Sequence, residues 1–342
     1  MKYLKKIVKN GIVDSYKMVK GILRDDKESP LGYSASGIVI GIGKGVKGFE
    51  IGDEVAAAGA GYANHAEFID VPANLVIKKP KNVSFQDAST VALGSIAMQG
   101  IRRANLQFGE FCVIFGAGIL GLLSIQILSN AGIRVAAIDI DDKKLTLASG
   151  FGAELVVNSK KSDPVKQIHN WANGFGCDAV IFTAATTEST ALSQSFQMCK
   201  IKGKVVLVGT VGMQIDRNDM YMKELDFIIS TSYGPGRYDK DYEEGGLVYP
   251  YGYVRWTETR NMDEYLRLIE TDKVNLEKMI NLVVPIEEAQ KAFQSLQQES
   301  DRPIIVLLSY PHIELTQDYS FLNDSLDRKS THLNSSHRIR SR

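Results

Sequence analysis

The sequence predicts an α/β protein built on a doubly wound parallel sheet. Six runs rich in Val, Ile and Ala read as strands: FCVIF (111–115), RVAAIDI (134–140), ELVVN (154–158), DAVIFT (178–183), KVVLVG (204–209) and DFIISTSY (226–233). Segments with helical spacing, such as DDKKLTLASG and STALSQSFQMCK, separate them. Near-continuous apolar strands that alternate with helices are typical of a parallel sheet covered on both faces.

The length and charge of the chain narrow its class further. At about 150 residues per domain, the 342 residues correspond to roughly two domains. The 40 Lys and Arg residues balance the 40 Asp and Glu residues, so the basic surface that marks nucleic-acid binders is not expected. We therefore expect small molecules and other subunits as partners, and no nucleic acid.

The cysteines and the apolar segments bear on the location of the protein. Cys112, Cys177 and Cys199 form no CxxC pair, which is typical of a reducing compartment, and no secretory signal is evident, so we expect a cytoplasmic protein. Residues 111–133 carry no charge and are long enough to span a membrane. Their glycines and polar residues instead favour a buried strand, a tight turn and a helix, and no membrane association is predicted.

The strongest functional signal is the sequence GAGILG at residues 116–121, between the first strand and a helix. In such a turn Gly116 permits the bend, Gly118 lets the backbone approach a pyrophosphate, and Gly121 allows close packing of helix and strand. The helix N-terminus supplies free N–H groups. Asp139 ends the second strand, where an acid accepts hydrogen bonds from a ribose. Together these features predict a Rossmann domain that binds a dinucleotide.

The acid at the end of the second strand also indicates which dinucleotide is bound. A carboxylate at this position repels the 2′-phosphate of NADP, and no arginine follows it directly, so NAD is preferred over NADP. Lys143 and Lys144 weaken this preference, while capping of the next helix is the alternative role for Asp141 and Asp142. Ligands also collect at the carboxyl ends of the later strands. The expected cofactor-binding residues are Gly116, Ala117, Gly118, Ile119, Leu120, Gly121, Asp139, Lys144, Thr183, Ala184, Val208 and Gly209.

The segments that flank the sheet have a different pattern. Residues 31–80 contain short strands broken by glycine and proline, which is typical of a small all-β unit. PIEEAQKAFQSL predicts an amphipathic helix and PIIVLLSY a strand, while the polar span 232–256 is loop-like. After Pro311 the periodicity is lost, and the end, DRKSTHLNSSHRIRSR, resembles a translated sequencing adapter. We expect residues 313–342 to be a non-native or disordered tail outside the fold.

The order of these parts resembles that of the medium-chain dehydrogenase/reductase family. PLGYSASGIVIGIGKGVKGFEIGDEV (30–55) is similar to the family signature GHExxGxVxxVGxxVxxFxxGDxV. SYGPGRYDKDYEE and GYVRWTETRNMDEYL resemble the first unit of bacterial two-domain oxidoreductases, whose second domain is of the Gfo/Idh/MocA type and which act in sugar or surface-polysaccharide metabolism. The resemblance implies an N-terminally truncated GroES-like β-barrel catalytic domain (1–93), an NAD-binding Rossmann domain (94–235) and a return to the catalytic domain (236–312).

Zinc is present in many members of this family, held by Cys, His and Cys side chains. At the matching positions of this chain, Tyr33 replaces the signature histidine, Ser34 replaces the glutamate after it, and Val91 lies near the position of the later cysteine. Only three scattered cysteines are present, which cannot supply a site. We therefore expect a zinc-independent protein that lacks this Lewis acid.

Without a metal, proton transfer depends on side chains. The resemblance places His65 where a pocket-facing aromatic usually lies, and Ser95 where a hydroxyl lies beside the nicotinamide. His65 titrates near neutral pH and Tyr33 carries a hydroxyl, so both are candidate proton donors. A hydrogen-bonded structural histidine and a packed barrel tyrosine are the alternatives. The predicted catalytic residues are His65, Tyr33, Ser95 and Arg237.

The polar span 232–256 supplies candidates for substrate contact. Arg237 would bind a carboxylate or phosphate through two hydrogen bonds, which suits a sugar acid or a sugar nucleotide. Tyr233 and Tyr238 lie beside it in the sequence. For Arg237 the alternative is a surface arginine in a flexible loop. A second group, with cation–π packing as its alternative role, consists of Arg255, Trp256 and Arg260.

The main hypothesis is a zinc-independent, NAD-dependent oxidoreductase that interconverts a carbonyl and an alcohol on a sugar or sugar-nucleotide derivative. A quinone- or enoyl-type reductase, which normally prefers NADP, and a dinucleotide-binding module without turnover are the alternatives. The resemblance also implies a homodimer formed through the edge strand DFIISTSY. Because the β unit lacks the strands that precede residue 30 in the family, we expect an unpaired strand edge and reduced stability.

Overall fold

The structure is a computed structural model that describes residues 30–298, 301–311 and 336–341. The strands are β1 (Ser34–Ile42), β2 (Glu54–Ala58), β3 (Phe68–Pro72), β4 (Val76–Lys78), β5 (Phe111–Phe115), β6 (Arg134–Asp139), β7 (Leu155–Asn158), β8 (Cys177–Phe182), β9 (Cys199–Leu207), β10 (Asp226–Ile229), β11 (Ile280–Pro285), β12 (Ile305–Ser309) and β13 (Ser336–Ser341). The helices are α1 (Phe85–Ala88), α2 (Val91–Ala104), α3 (Ile119–Asn130), α4 (Asp142–Gly150), α5 (Pro164–Trp171), α6 (Thr190–Met198), α7 (Arg217–Tyr221), α8 (Lys240–Glu243), α9 (Glu258–Glu270) and α10 (Ala289–Leu296).

The central sheet contains six strands in the order β7-β6-β5-β8-β9-β10, and all of its ladders are parallel. Consecutive residues of these strands belong to different apolar clusters: Val113 and Val180 pack on one face, and Ile114 and Ile181 on the other. Both faces of the sheet are therefore covered, as continuous Val and Ile strands require. This topology confirms the predicted doubly wound α/β class.

Two predicted strands have different ends in the structure. β9 begins at Cys199, five residues before the predicted start, because α6 leads directly into it. β10 ends at Ile229, four residues before the predicted end. Ser232 has a positive φ of 46°, which turns the chain away from the sheet. The residues after Ile229 therefore start the loop that faces the N-terminal β unit.

The N-terminal β unit forms a five-stranded sheet in the order β3-β13-β1-β2-β4. β13 lies antiparallel between β1 and β3, with Gly37 opposite Ser341 and Ile69 opposite Ile339. We expected a free edge here and a tail outside the fold, and the structure differs on both points for residues 336–341. The unpaired backbone groups of β1 and β3 accept any extended segment, whatever its composition. The rest of the predicted tail lies outside the described residues.

The return segment packs against α2. The side chain of Thr257 caps α9 by accepting a hydrogen bond from the N–H of Arg260. Where the two helices cross, a Cβ on Gly94 would lie 2.2 Å from the ring of Tyr265, so only glycine fits there. The Tyr265 hydroxyl is hydrogen bonded to Thr90 at 2.8 Å. This contact fixes α9, and the loop that leads to it, beside the carboxyl ends of the sheet strands.

The uncharged span 111–133 forms β5, a turn and α3, as predicted. Leu122, Leu123 and Ile125 of α3 are fully buried in the core. Within residues 30–298 and 301–311, no helix combines the length and the hydropathy needed to cross a bilayer.

Candidate functional site

The glycine turn between β5 and α3 is fixed by backbone contacts that leave no room for side chains. Gly116 has a φ of +106°, and a Cβ on it would lie 2.6 Å from the backbone nitrogen of Ala184. A Cβ on Gly121 would lie 2.0 Å from the carbonyl oxygen of Gly116. The same oxygen accepts a hydrogen bond of 2.6 Å from the Thr183 hydroxyl. Three segments of the sheet edge are therefore held together at this turn.

The middle glycine of the turn has different surroundings. A Cβ on Gly118 would meet no atom within 4 Å. Gly118 is the N-cap of α3, and no side chain of the described residues caps this helix. The first-turn N–H groups, which include those of Ile119 and Leu120, are thus available to a ligand at the positive end of the helix dipole. The arrangement fits the pyrophosphate of a dinucleotide.

Asp139 links the end of β6 to the glycine turn. Its Oδ2 accepts a hydrogen bond of 2.7 Å from the N–H of Ala117, and its Oδ1 accepts bonds of 2.8 and 3.0 Å from the N–H groups of Ile140 and Asp141. Each carboxylate oxygen can accept further bonds, so the ribose remains a possible ligand. The position of this acid is therefore set by the same turn that would hold the pyrophosphate.

The residues that follow Asp139 begin helix α4. Asp141 is the N-cap, and its side chain accepts a hydrogen bond of 2.9 Å from the N–H of Lys143. Asp142 instead bonds to Lys161 and Asn158. Lys144 is half-buried in the first turn of α4 and forms no ion pair with the described residues. Of the two aspartates, only Asp141 has the capping role that the sequence left open.

The carboxyl ends of β8 and β9 complete this side of the site. A Cβ on Gly209 would lie 2.1 Å from the carbonyl oxygen of Ala184, so these two strand ends pack backbone to backbone. The side chain of Val208 lies against Gly100 of α2, where a Cβ would be 2.6 Å from one of its methyl groups. All of the predicted cofactor residues on the strand ends thus lie at one edge of the sheet, next to α2.

In the N-terminal β unit, residues 31–34 and 59–65 pack against each other. The Tyr33 carbonyl accepts a hydrogen bond from the N–H of Gly59, and the Leu31 carbonyl accepts one from the N–H of His65. The His65 ring lies over Gly32, and it contacts Phe293 edge-on with 6.3 Å between the ring centroids. His65 therefore packs on Gly32, the residue that directly precedes Tyr33 in the chain.

Partial burial shifts both proton donors away from their usual pKa values. Tyr33 is 40% exposed, and desolvation raises the pKa of its hydroxyl. Desolvation lowers the pKa of His65, although the side chain is still exposed at one side. Each shift favours the neutral form of the side chain, so Tyr33 holds its proton and His65 is unprotonated above neutral pH.

Two of the predicted catalytic residues have other roles. Ser95 is fully buried, and its hydroxyl donates to the carbonyl of Val91 at 2.8 Å, so it does not face the site. The prediction rests on the resemblance to the family, whereas in this structure the hydroxyl is turned to the backbone of its own helix. Ser34, at the position of the signature glutamate, donates to the Ser89 carbonyl at 2.6 Å and accepts from the N–H of Ala92 at 3.1 Å. It therefore anchors the start of α2.

Arg237 is also not available for a substrate anion. Its Nη1 lies 2.5 Å from Oε1 of Glu243, and the two side chains are only 9% and 6% exposed. The guanidinium carbon lies 5.2 Å from the ring centroid of Tyr233 and 4.1 Å from that of Tyr238. The positive charge expected at the surface is thus neutralised inside the loop.

The sequence did not indicate Glu258, which lies beside this ion pair. Glu258 is fully buried, and neither of its carboxyl oxygens has a hydrogen-bond partner in the described residues. Burial, followed by the charge of Glu243, raises the pKa of Glu258 to about 9. In the sequence this acid lies in a polar, charged segment, and nothing in that pattern distinguishes a buried acid from an exposed one.

The loop that carries Arg237 also contacts the N-terminal β unit. Tyr233 is buried, and its hydroxyl bonds to the backbone of Ala60. The Tyr62 hydroxyl donates to Oε1 of Glu244 at 2.8 Å. The amide of Asn74 donates to the Tyr242 carbonyl at 2.6 Å. These bonds hold the polar span against the same β segments that carry His65.

The outer part of the polar span has the packing role that the sequence left as an alternative. The Arg255 guanidinium lies 4.1 Å from the Trp256 ring centroid and 4.4 Å from that of Tyr251. Arg102 packs on Trp256 at 3.4 Å. Arg260 donates to the backbone carbonyls of the same loop. These cations therefore stack on aromatic rings or bond to the loop backbone.

The described residues contain no group of three or more His, Cys, Asp or Glu side chains that suits a metal ion. Cys112, Cys177 and Cys199 are buried in β5, β8 and β9. At the ligand positions implied by the family, the hydroxyl of Ser34 is occupied by backbone bonds, and Val91 is fully buried. The donor set at these positions does not fit zinc.

Comparisons with known proteins agree with this architecture. Residues 120–244 match the zinc-binding dehydrogenase family. An alcohol dehydrogenase from Geobacillus stearothermophilus is 31% identical over 206 residues, which make up 52% of this chain and 60% of that protein. The chain therefore matches less than two thirds of the length of this curated relative, and its homologues are alcohol dehydrogenases and oxidoreductases.

Solved structures share the fold at lower identity. Galactitol-1-phosphate dehydrogenase from Escherichia coli has a TM-score of 0.67 and 20% identity, covering 81% of this chain and 84% of that one. A quinone oxidoreductase from Pseudomonas syringae pv. Tomato DC3000 has a TM-score of 0.64 and 20% identity, covering 82% of each chain. At this level of identity the likeness establishes the Rossmann and GroES-like fold alone.

Proposed function

Because this chain is related to the alcohol-dehydrogenase-like medium-chain dehydrogenase/reductases, we propose that it is an oxidoreductase that moves a hydride between NAD and a carbonyl or alcohol. The observation that carries this proposal is the glycine turn. Gly118 opens onto free space at the N-terminus of α3, while Gly116 and Gly121 are fixed by backbone contacts. This shape suits a bound pyrophosphate, as in dinucleotide-binding domains.

The choice of NAD over NADP rests on Asp139. Its carboxylate is held in place by backbone N–H groups of the glycine turn and of the segment after β6. A 2′-phosphate beside this charge would be repelled, whereas ribose hydroxyls can donate to it. Lys144, which lacks an ion pair in the described part of the chain, is the proposed second ribose contact.

We place no zinc in this reaction, since Tyr33, Ser34 and Val91 offer no suitable donor set. When bound, NAD supplies the hydride chemistry at its nicotinamide ring. The proposed role of Tyr33 is to give a proton to the substrate oxygen. Its hydroxyl carries a proton at neutral pH, and desolvation, which raises its pKa, keeps the proton in place but makes the hydroxyl a weaker acid. His65, with a lowered pKa, is the proposed proton acceptor in the reverse direction.

The substrate is proposed to be a sugar derivative. Arg237 was the feature that suggested a sugar nucleotide or sugar acid, and its pairing with Glu243 removes this support. An uncharged sugar carbonyl or alcohol is therefore favoured over a nucleotide-linked one. The protein is further proposed to be a cytoplasmic homodimer that pairs through β10, which lies at the edge of the sheet and exposes 52% of Ile229.

One alternative has a specific observation in its favour. The absence of the family's zinc ligands from the matching positions supports a dinucleotide-binding module without turnover. A quinone-type reductase is the other alternative, and it would prefer NADPH.

The first experiment is a fluorescence titration with NADH and NADPH on the wild type and on Asp139→Asn, followed by a screen of aldehydes, ketones, quinones and free sugars. We expect tighter binding of NADH, a shift toward NADPH in D139N, and oxidation of NADH by a carbonyl. Asp142→Asn, on the same loop but bonded to Lys161, is the matched control and should leave the preference unchanged. If NADH binds but no compound oxidises it, the dinucleotide-binding module without turnover is supported. If NADPH is preferred and quinones are reduced, the quinone-type reductase is supported.

A further inference from the structure

A group of buried polar side chains lies where the loop 232–238 meets the start of α9. Arg237 is paired with Glu243, and Glu258 lies beside them, with no hydrogen-bond partner for either carboxyl oxygen among the described residues. In the same part of the chain, the Nε of Arg237 has no hydrogen-bond acceptor. Within the described residues, the cluster thus contains one cation and two acids, and the cation already bonds to one of the acids.

This arrangement determines the charge that Glu258 can carry. A buried carboxylate without hydrogen-bond donors is strongly disfavoured, and it avoids this cost by keeping its proton. The nearby negative charge of Glu243 acts in the same direction, and Arg237 opposes it only in part. The structure as it stands is therefore consistent with a neutral Glu258 next to an intact Arg237–Glu243 pair.

Glu258 is also tied to the loop that forms the substrate side of the site. Its backbone N–H donates to the Pro235 carbonyl at 2.8 Å. A Cβ on Gly236 would lie 3.1 Å from its Oε1, so the loop backbone passes directly over the carboxyl group. Two residues earlier in the loop, a Cβ on Gly234 would lie 2.8 Å from the side-chain amide of Gln99 in α2. The carboxyl group is therefore packed directly beneath the part of the loop that contacts α2.

We propose that Glu258 is a positioning residue that works as an uncharged acid, and that loss of its proton releases the loop 232–238 from the substrate side of the site. In the neutral form, Arg237 remains bound to Glu243 and Tyr233 remains seated against Ala60. Once ionised, Glu258 competes with Glu243 for the single guanidinium, and two buried acids cannot both be neutralised by it.

Two other cations lie on the helices that pack here: Arg102 of α2 donates to the side chain of Asn261, and Arg260 of α9 donates to backbone carbonyls of the loop. Of the cations, Arg237 is the one whose charge acts on the Glu258 carboxyl. The titratable side chains packed on the cluster from the loop, from α8 and the segment after it, and from the β unit are Tyr233, Tyr238, Tyr242, Tyr249, Glu244 and Tyr62. Each of these is neutral or acidic at moderate pH. Within the described chain, Arg237 is thus the cation for which an ionised Glu258 would compete.

Limited trypsin digestion tests the proposal without any substrate, because Arg237 is itself a cleavage site that is closed in the present structure. The measurement is the ratio of cleavage after Arg237 to cleavage after the exposed Lys161, read by mass spectrometry. In the wild type this ratio is expected to rise several-fold between about pH 7.5 and about pH 9.5, as Glu258 loses its proton. In Glu258→Gln, which keeps the shape and cannot ionise, the ratio should stay flat.

A second measurement on the wild type covers the case in which E258Q does not fold. Infrared difference spectroscopy should detect the carbonyl band of a protonated carboxylic acid at about pH 8, lost only near the pKa of Glu258. Absence of this carbonyl band at about pH 8, or an equal rise in cleavage in the wild type and E258Q, would overturn the proposal. Neither readout depends on catalysis, so failure of the proposed function would appear separately, as lack of NADH binding or oxidation.

Discussion

The two sides of the candidate site hold their polar groups in opposite ways. At the glycine turn, backbone N–H groups open toward the space that a pyrophosphate would fill, and the carboxylate of Asp139 is held by the N–H of Ala117. In the loop before α9 the charged groups are Arg237, Glu243 and Glu258, all enclosed by protein. The side proposed for the cofactor thus takes its shape from backbone geometry, whereas the side proposed for the substrate takes its shape from buried charge.

If buried charge shapes the substrate side, removal of one member of the ion pair should have the largest effect. We expect Glu243→Ala to lower the free energy of unfolding by about 3–5 kcal/mol, because Arg237 is left buried with its charge uncompensated. Urea denaturation provides the measurement. Glu243→Gln keeps a hydrogen-bond acceptor for the guanidinium, so its free energy of unfolding should fall by less than that of E243A. A loss in E243A as small as that of an exposed pair would mean that the loop does not depend on this charge.

Replacement of the unpaired acid, Glu258, should raise the free energy of unfolding, whereas E243A lowers it. The pKa of Glu258 is raised to about 9 from an ordinary value of 4.5. The folded state thus binds this proton more tightly, and its contribution to stability is complete below about pH 4.5 and is lost as the pH rises to about 9. Glu258→Gln removes this dependence. The free energy of unfolding of E258Q relative to the wild type should rise by about 1.4 kcal/mol per pH unit, or about 3 kcal/mol from pH 6 to pH 8.

Urea midpoints at several pH values would measure this difference. Glu264→Gln is a useful control because Glu264 is bonded to Arg267 near the surface, and its pKa is lowered. The E264Q difference from the wild type should not change between pH 6 and pH 8, since that acid is fully ionised in this range. A constant difference for E258Q as well would show that Glu258 is ionised in the folded protein at neutral pH.

The same contrast explains which parts of the molecule the sequence could predict. The strands of the sheet and the glycine turn follow from local patterns, because apolar runs and glycine spacing act over a few residues. Arg237 was assigned to the substrate because an arginine in a loop-like span can bind a carboxylate or phosphate through two hydrogen bonds. Its partner, Glu243, lies six residues away on a separate short helix, and only the three-dimensional packing of α8 and α9 encloses both.

Two further features depended on orientation and on pairing at a distance. The face of α2 that carries Ser95 is decided by the contact of this helix with α9, which the sequence does not give. The pairing of residues 336–341 between β1 and β3 joins segments more than 250 residues apart, and backbone hydrogen bonds carry no sequence signal. These features were therefore accessible only from the structure.

On the cofactor side, two glycines of one turn should respond differently to the same added methyl group. In Gly121→Ala the Cβ would lie 2.0 Å from the Gly116 carbonyl oxygen, which requires a backbone shift and should destabilise the fold by about 1–3 kcal/mol. In Gly118→Ala the Cβ enters open space at a φ of −77°, so stability should be unchanged while NADH affinity falls. Urea unfolding and NADH fluorescence separate the two effects. Equal NADH affinity in G118A and the wild type would place the pyrophosphate elsewhere.

The smallest effect is expected where a charge pair lies in solvent. Lys143 and Asp301 form an ion pair at the edge of α4, with side chains that are 78% and 69% exposed. Solvent screening and the side-chain entropy lost on pairing leave such contacts with little effect on stability. Asp301→Ala should therefore shift the urea midpoint very little, and any shift should vanish in high salt. A loss near that of E243A would mean that burial is not what distinguishes the two pairs, and the comparison between the two sides of the site would then fail.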